Sequence, residues 1–200
     1  MRSTNTSTKI GVDIGQKHDP TAVCVAELEP RAVGRRVETH YLVRHLERLP
    51  LGTPYPEVAQ RIDAIVSAVQ RRSGAPPTVL VDGTGVGQPV VDLLQAQRAW
   101  GRSLVAVTFT AGRTWKLRRG VPMRLSLGKE LLACRLQALL QGGRIHLPGT
   151  REGKALAAEL RGYEIRVDEG GHARFGAFRS GTHDDLVTAL GLVVGGRSGI

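Results

Sequence analysis

"TKIGVDIG", Thr8–Gly15, is the stretch on which the fold turns. It is a short apolar run that ends in an acid followed closely by a glycine. That pattern reads as a buried strand leading into a turn, "QKHDP" (Gln16–Pro20). "TVLVDG", Thr78–Gly83, repeats the pattern. Between the two lie "TAVCVAEL" (Thr21–Leu28) and "RVETHYLVRHLERL" (Arg36–Leu49), which read as further strands of an antiparallel meander. "YPEVAQRIDAIVSAVQRR" (Tyr55–Arg72) is a helix, because Val58, Ile62, Ile65, Val66 and Val69 recur at three- and four-residue spacing. "GQPVVDLLQAQRAW" (Gly87–Trp100) reads as a second helix and "SLVAVTFT" (Ser103–Thr110) as a fifth strand.

Beyond them the pattern predicts a basic loop over Ala111–Arg124 and a helix around Leu127–Gln141. "RIHLP" reads as a short strand, "KALAAELRGY" as a short helix, and Tyr163–Phe178 as a hairpin turning at Gly170–Gly171. A last helix is expected to begin near Thr182. This order predicts an α/β fold: a central mixed five-stranded sheet flanked by helices, with an added C-terminal β-hairpin. The expected organisation is a flexible arm over residues 1–8, one domain over 9–195 and a tail over 196–200.

Composition narrows the function. The chain has 200 residues, enough for one domain with a real core. No apolar run is long enough to span a membrane, and "MRSTNTST" lacks the apolar centre of a signal peptide. Cys24 and Cys134 stand apart with no CxxC, which argues against zinc and suits a reducing compartment. The cytoplasm, or the host cytoplasm for a viral protein, is the expected location. Lys and Arg number 28 against 18 Asp and Glu, a net charge of +10. Such an excess points to a polyanionic partner, most simply nucleic acid. It also makes clustered acids informative.

Those acids are Asp13, Asp82 and the pair Asp184–Asp185 in "SGTHDDLVTALGLVV" (Ser180–Val194). A carboxylate in an apolar strand is costly to bury unless paired or bound to a cation. Adjacent parallel strands would bring Asp13 and Asp82 together, where open α/β sheets place their sites. Alone, Asp184 and Asp185 read as a helix cap, with Thr182 and Asp185 at capping-box spacing. As a set, the acids suit a hard divalent cation such as Mg²⁺ or Mn²⁺. Two such ions can activate a water and stabilise the leaving oxygen of a phosphodiester. Adjacent helical positions point about 100° apart, so only one of Asp184 and Asp185 aims straight at a given ion; periodicity does not choose which.

Other residues have two readings. His183 is a hydrogen-bond donor behind a ligand, a general base or a structural histidine. Arg113, Lys116, Arg118, Arg119 and Arg124 sit beside Trp115 and suit phosphate contact, or form a solvated loop. Lys17 and His18 touch DNA or belong to a plain turn. "GTGVG" (Gly83–Gly87) lets backbone approach closely, whether to phosphate or to another strand.

Together "GVDIGQKHDPTAV", "VDGTGVGQPVVD" and "GTHDDLVTALGL" resemble the three acidic motifs of the nuclease domain of bacteriophage terminase large subunits. The resemblance runs from about Lys9 to Val194. It implies an RNase H-like fold related to RuvC resolvases. It implies a two-metal endonuclease that cuts concatemeric viral double-stranded DNA during genome packaging. Asp13, Asp82, Asp184 and Asp185 would hold two Mg²⁺ or Mn²⁺ ions, with Asp13 bridging them. A packaging ATPase domain, a small terminase subunit and a portal are the implied partners. No Walker A sequence is present: "GTREGKA" (Gly149–Ala155) has the wrong spacing and lacks Ser or Thr after lysine. The chain is therefore expected to be a nuclease domain alone, excised or free-standing. The alternatives are a Holliday-junction resolvase or RNase H of the same fold, an actin-like ATP-binding protein, and a non-catalytic DNA-binding module.

Overall fold

The computed structural model describes residues 7–15, 19–97, 100, 103–167, 173–176 and 183–196. Lys17, His18, Gly170, Gly171 and Thr182 lie outside the described residues, and with them the turn, the hairpin bend and the capping partner assigned to those positions.

The elements run β1 (Ser7–Asp13), β2 (Ala22–Val33), β3 (Arg36–Arg48), α1 (Tyr55–Ser73), β4 (Thr78–Asp82), α2 (Gln88–Gln97) and β5 (Leu104–Thr110). They continue as β6 (Trp115–Arg118), β7 (Met123–Gly128), α3 (Lys129–Gln141), β8 (Ile145–His146), α4 (Arg151–Gly162), β9 (Glu164–Val167), β10 (Ala173–Gly176) and α5 (Asp185–Gly195). The main sheet is mixed, as expected, but has eight strands rather than five, in the order β6-β7-β5-β4-β1-β2-β3-β8. The difference comes from β6, β7 and β8. The stretch expected to be a basic loop is an antiparallel pair instead, with Lys116 opposite Ser126 and Arg118 opposite Arg124. The hairpin β9–β10 forms a separate two-stranded sheet.

β1, β4, β5 and β7 run parallel, so their C-terminal ends share one edge. Side chains alternate along them and divide the core. Ile10, Val12, Val79 and Val81 face α1 and α2. Leu80, Val105, Val107, Leu125 and Leu127 face α3, α4 and α5. By the same alternation Gly11, Asp13 and Asp82 lie on the α5 face.

α5 is apolar all round because it is covered all round. Leu186, Val187, Leu190, Leu192, Val193 and Val194 are fully buried; each contributes about 1.5–3 kcal/mol relative to exposure. Gly11 sets how close the helix comes. A Cβ there would lie 2.0 Å from the Ala189 carbonyl oxygen. The far end of α5 is tied to β1 by buried Lys9, whose Nζ donates to the Gly196 carbonyl at 3.0 Å. A cation suits a helix C-terminus. Burial, with Arg135 nearby, pushes the Lys9 amine down to about 8. These two contacts fix the helix antiparallel to β1, with its first residues over Asp13.

Candidate active site

Asp13 and Asp82 stand side by side. The parallel ladder pairs Val12 with Val81, and each acid is the next residue of its strand. The turn after Asp82 holds its carboxylate: the Thr84 N–H donates to Oδ1 at 2.8 Å, and Thr84 Oγ1 accepts from the Phe109 N–H at 3.1 Å. The glycines of "GTGVG" serve this turn. A Cβ on Gly87 would meet the Asp82 carbonyl oxygen at 1.8 Å. The close approach that the glycines allow here is therefore to the chain's own strand end.

Both acids open into a cavity of about 170 Å³. Asp184, Phe109, Lys129, Leu132, Tyr163 and Thr188 complete its walls. Asp184 occupies the N-cap position of α5, yet its carboxylate makes no capping hydrogen bond. Asp185 is buried and absent from the lining: it accepts from Arg48 Nε at 2.5 Å. Of the adjacent pair, it is Asp184 that lines the cavity. His183 is half-exposed and lies outside the lining, its Nδ1 3.8 Å from Asp19 Oδ1 and 4.0 Å from Asp185 Oδ1.

The electrostatics follow from this crowding. Burial pushes the Asp13 carboxyl well above the usual carboxylate range, and Asp82, Asp185 and Asp184 add to the effect; Lys129 opposes it. Asp82 is also raised by burial, against the Thr84 hydrogen bonds and Lys129. The Tyr163 hydroxyl is pushed up to about 12, by burial and then by Asp184 and Asp13. The cavity is thus a region of strong negative potential that favours a bound cation.

Among the described residues, no three His, Cys, Asp or Glu side chains close tightly enough to enclose a metal ion. The chemistry of Asp13, Asp82 and Asp184 nonetheless fits a hard cation: all are carboxylates, and Asp13 takes up positive charge readily.

A pH prediction follows. Asp13 and Asp82 hold protons more tightly folded than unfolded, so the metal-free fold loses stability as pH rises from about 4 through their raised folded values. Asp13→Asn removes that loss. Without divalent ions it should melt above the parent protein at pH 7, and the gap should shrink toward pH 4. A gap that does not depend on pH would contradict this account.

The basic residues fall in a different place. Trp115 and Leu117 of β6 pack into the core under α3 and α5, and Trp115 Nε1 donates to the Gly195 carbonyl at 3.2 Å. Strand alternation sends Lys116, Arg118 and Arg124 to the opposite face, where Arg124 reaches Gln88 Oε1 at 3.4 Å. Arg119 is exposed at the turn between the two strands. Arg113 pairs with Glu130 at 2.6 Å, beside the start of α3. The acidic cavity and the strip of Lys116, Arg118 and Arg124 therefore occupy opposite faces of the sheet.

Lys129, Tyr163 and Thr188 were not singled out from sequence. Lys129 follows directly on β7, a strand parallel to β5, and so reaches the same edge as Asp13 and Asp82. Reading residues 123–128 as a strand would have exposed that signal.

Residues 10–194 match the family model for the terminase RNase H-like domain. No curated protein sequence matches the chain. Among solved structures it is similar to the large terminase nuclease from thermophilic phage G20c, with TM-score 0.63 and 20% identity over 94% of this chain and 81% of that one. It is also similar to the human cytomegalovirus terminase nuclease domain, with TM-score 0.56 and 10% identity over 96% and 85%. A Mn-soaked form of that domain gives TM-score 0.52 and 10% identity over 96% and 84%. These likenesses establish the RNase H-like fold.

Proposed function

This chain belongs to the terminase RNase H-like domain family, and we propose that its acidic cavity is the site of a metal-dependent endonuclease acting on double-stranded viral DNA. The observation that carries the reading is the convergence of Asp13, Asp82 and Asp184 on one cavity at the C-terminal edge of parallel strands. Family membership supports a nuclease role. The proposed substrate is concatemeric DNA during genome packaging. The proposed partners are a packaging ATPase domain, a small terminase subunit and a portal. Among the described residues no helix is long and apolar enough to cross a membrane; the proposed location is the host cytoplasm.

Asp13, Asp82 and Asp184 would hold the divalent ions, Mg²⁺ or Mn²⁺. Bound divalent ions supply activation of a water and stabilisation of the leaving oxygen. The protein's own groups do the rest. Thr84 keeps the Asp82 carboxylate turned into the cavity. The Lys129 ammonium brings positive charge to the wall where a phosphate would enter. Tyr163 stays protonated across the working range and can donate a hydrogen bond to a phosphate oxygen. Arg113, beside the start of α3, would contact the duplex on the cavity side; Lys116, Arg118, Arg119 and Arg124, on or next to the edge strand and its neighbour, would take phosphates only where the duplex runs past the sheet edge to the opposite face.

The test uses the purified chain, supercoiled plasmid and Mn²⁺. Nicking that EDTA abolishes is expected. No cleavage with any divalent ion would overturn the reading, and a marked preference for four-way junctions or RNA–DNA hybrids would replace it with a resolvase or RNase H activity. The adjacent acids should separate. Asp184→Asn should lower nicking at saturating Mn²⁺ by about 10²–10³-fold, the loss of a metal ligand's several kcal/mol. Asp185→Asn should be milder and should lower thermal stability as well. The reverse order would assign the ligand to Asp185.

The basic strip gives a separate prediction. Each phosphate contact contributes about 0.9 to the slope of log affinity against log salt. Lys116→Ala with Arg118→Ala should flatten that slope by up to about two contacts' worth, read by filter binding in Ca²⁺. An unchanged slope would leave the two side chains as solvated surface.

A further inference from the structure

An α-helix starts with backbone N–H groups that have no partner inside the helix. The N-cap side chain usually takes one of them, most often at the second or third helical residue. In α5 the N-cap residue is Asp184, a residue type well suited to the task, and it does not do it. Another residue does. Glu159 of α4 accepts from the Val187 N–H through Oε2 at 3.1 Å, at the third residue of α5.

Glu159 is itself held. Its other oxygen accepts from Arg48 Nη2, at the end of β3. The same guanidinium donates through Nε to Asp185 Oδ2 at 2.5 Å and lies 3.5 Å from Oδ1. The side chains of Glu159 and Asp185 are 8% and 3% exposed, so water screens the cluster little. One guanidinium between two carboxylates leaves a net negative charge, which the helix N-terminus favours. The planar fork of arginine also fixes direction, which a lysine would not.

The consequence is geometric. Asp185 is pinned toward Arg48, while Asp184, at the N-cap just outside the helix, lines the cavity. We propose that Arg48 and Glu159 are positioning residues for the nuclease site: they cap and clamp the start of α5 from outside the helix, so that Asp184 is not spent as the cap and stands in the cavity wall as a metal ligand. The inference rests on the reading of Asp184 as a ligand given above.

The experiment is titration of the metal-free chain with Mn²⁺ alone, by calorimetry, alongside the Mn²⁺ dependence of plasmid nicking. Loosening a group that orients a ligand typically weakens metal binding by about 10–100-fold. Glu159→Ala should weaken Mn²⁺ by that factor and raise the Mn²⁺ needed for half-maximal nicking in parallel, with excess Mn²⁺ restoring most of the rate. Glu159→Gln keeps an oxygen for the Val187 N–H and should lose less, under about tenfold. It also serves if Glu159→Ala does not fold. A folded Glu159→Ala with parental Mn²⁺ affinity would overturn the inference, even with a lower melting temperature, because a merely structural bridge predicts that result. Parental Mn²⁺ affinity in Glu159→Gln, with Glu159→Ala unfolded, would overturn it too. Asp184→Asn is the control: if it binds Mn²⁺ as the parent does, the reading of the ligand fails, whatever Glu159 does.

Discussion

Asp13→Asn is expected to reduce Mn²⁺-dependent plasmid nicking by at least about 10³-fold, the several kcal/mol that metal-ion charge stabilisation supplies. Asp13 is the acid with the strongest claim on a cation. Burial raises its carboxyl most, and Asp82 on the neighbouring strand, then Asp185 and Asp184 at the start of α5, raise it further. An amide keeps the shape and loses the charge, so the fold should survive. The expected rise in metal-free melting temperature shows that it has. Lost nicking with raised stability cannot come from misfolding. Nicking within tenfold of the parent would remove Asp13 from the site.

Gly11→Ala is expected to damage both the fold and the site with one methyl group. The added Cβ would stand 2.0 Å from the Ala189 carbonyl oxygen and 3.1 Å from Leu192 Cβ. The first obstacle is backbone and cannot swing aside, so α5 must lift or β1 must bend. Overpacking of this kind costs about 3 kcal/mol, at the upper end of its usual range. For a domain of this size that lowers Tm by about 6–12 °C. Activity should fall further than stability, because the same shift carries Asp184 away from Asp13. A Gly11→Ala protein with parental melting temperature and nicking would show that the helix does not rest on β1 at this point.

Much of this arrangement is visible in the sequence. Asp13 and Asp82 stand out because an acid in an apolar strand needs a reason, and the order of elements brings their strands together. The helix α1 is equally plain, with Val58, Ile62, Ile65 and Val66 buried where the spacing puts them. Three features are not legible, each for a physical cause. β6 and β7 alternate as strands should, but their outward positions carry arginine and lysine and their link carries glycine, so the stretch reads as a solvated loop. β2 runs on through Pro30 to Val33, past the Leu28 expected as its end. Among the described residues its partner beyond Leu28 is β3 alone, and a position with one described partner strand is where a proline can be carried. The roles of Asp184 and Asp185 depend on Arg48 and Glu159, which are remote in sequence; periodicity within one helix holds no information about them.

The path of α5 also has a bearing on when the site can exist. Lys9 and Gly196, joined by one hydrogen bond, are 187 residues apart in the chain. Asp13 belongs to the first strand described and Asp184 to the start of the last helix. A contact of such high order forms late, because loop-closure entropy must be overcome before it repays anything. A growing or partly folded chain can carry Asp13 and Asp82 on neighbouring strands and still lack the wall that α5 provides. On the proposed function, hydrolytic competence would therefore arrive with completion of the tertiary structure. A half-made polypeptide would be harmless to the DNA around it, and the safeguard would lie in topology alone, with no inhibitor and no added segment required.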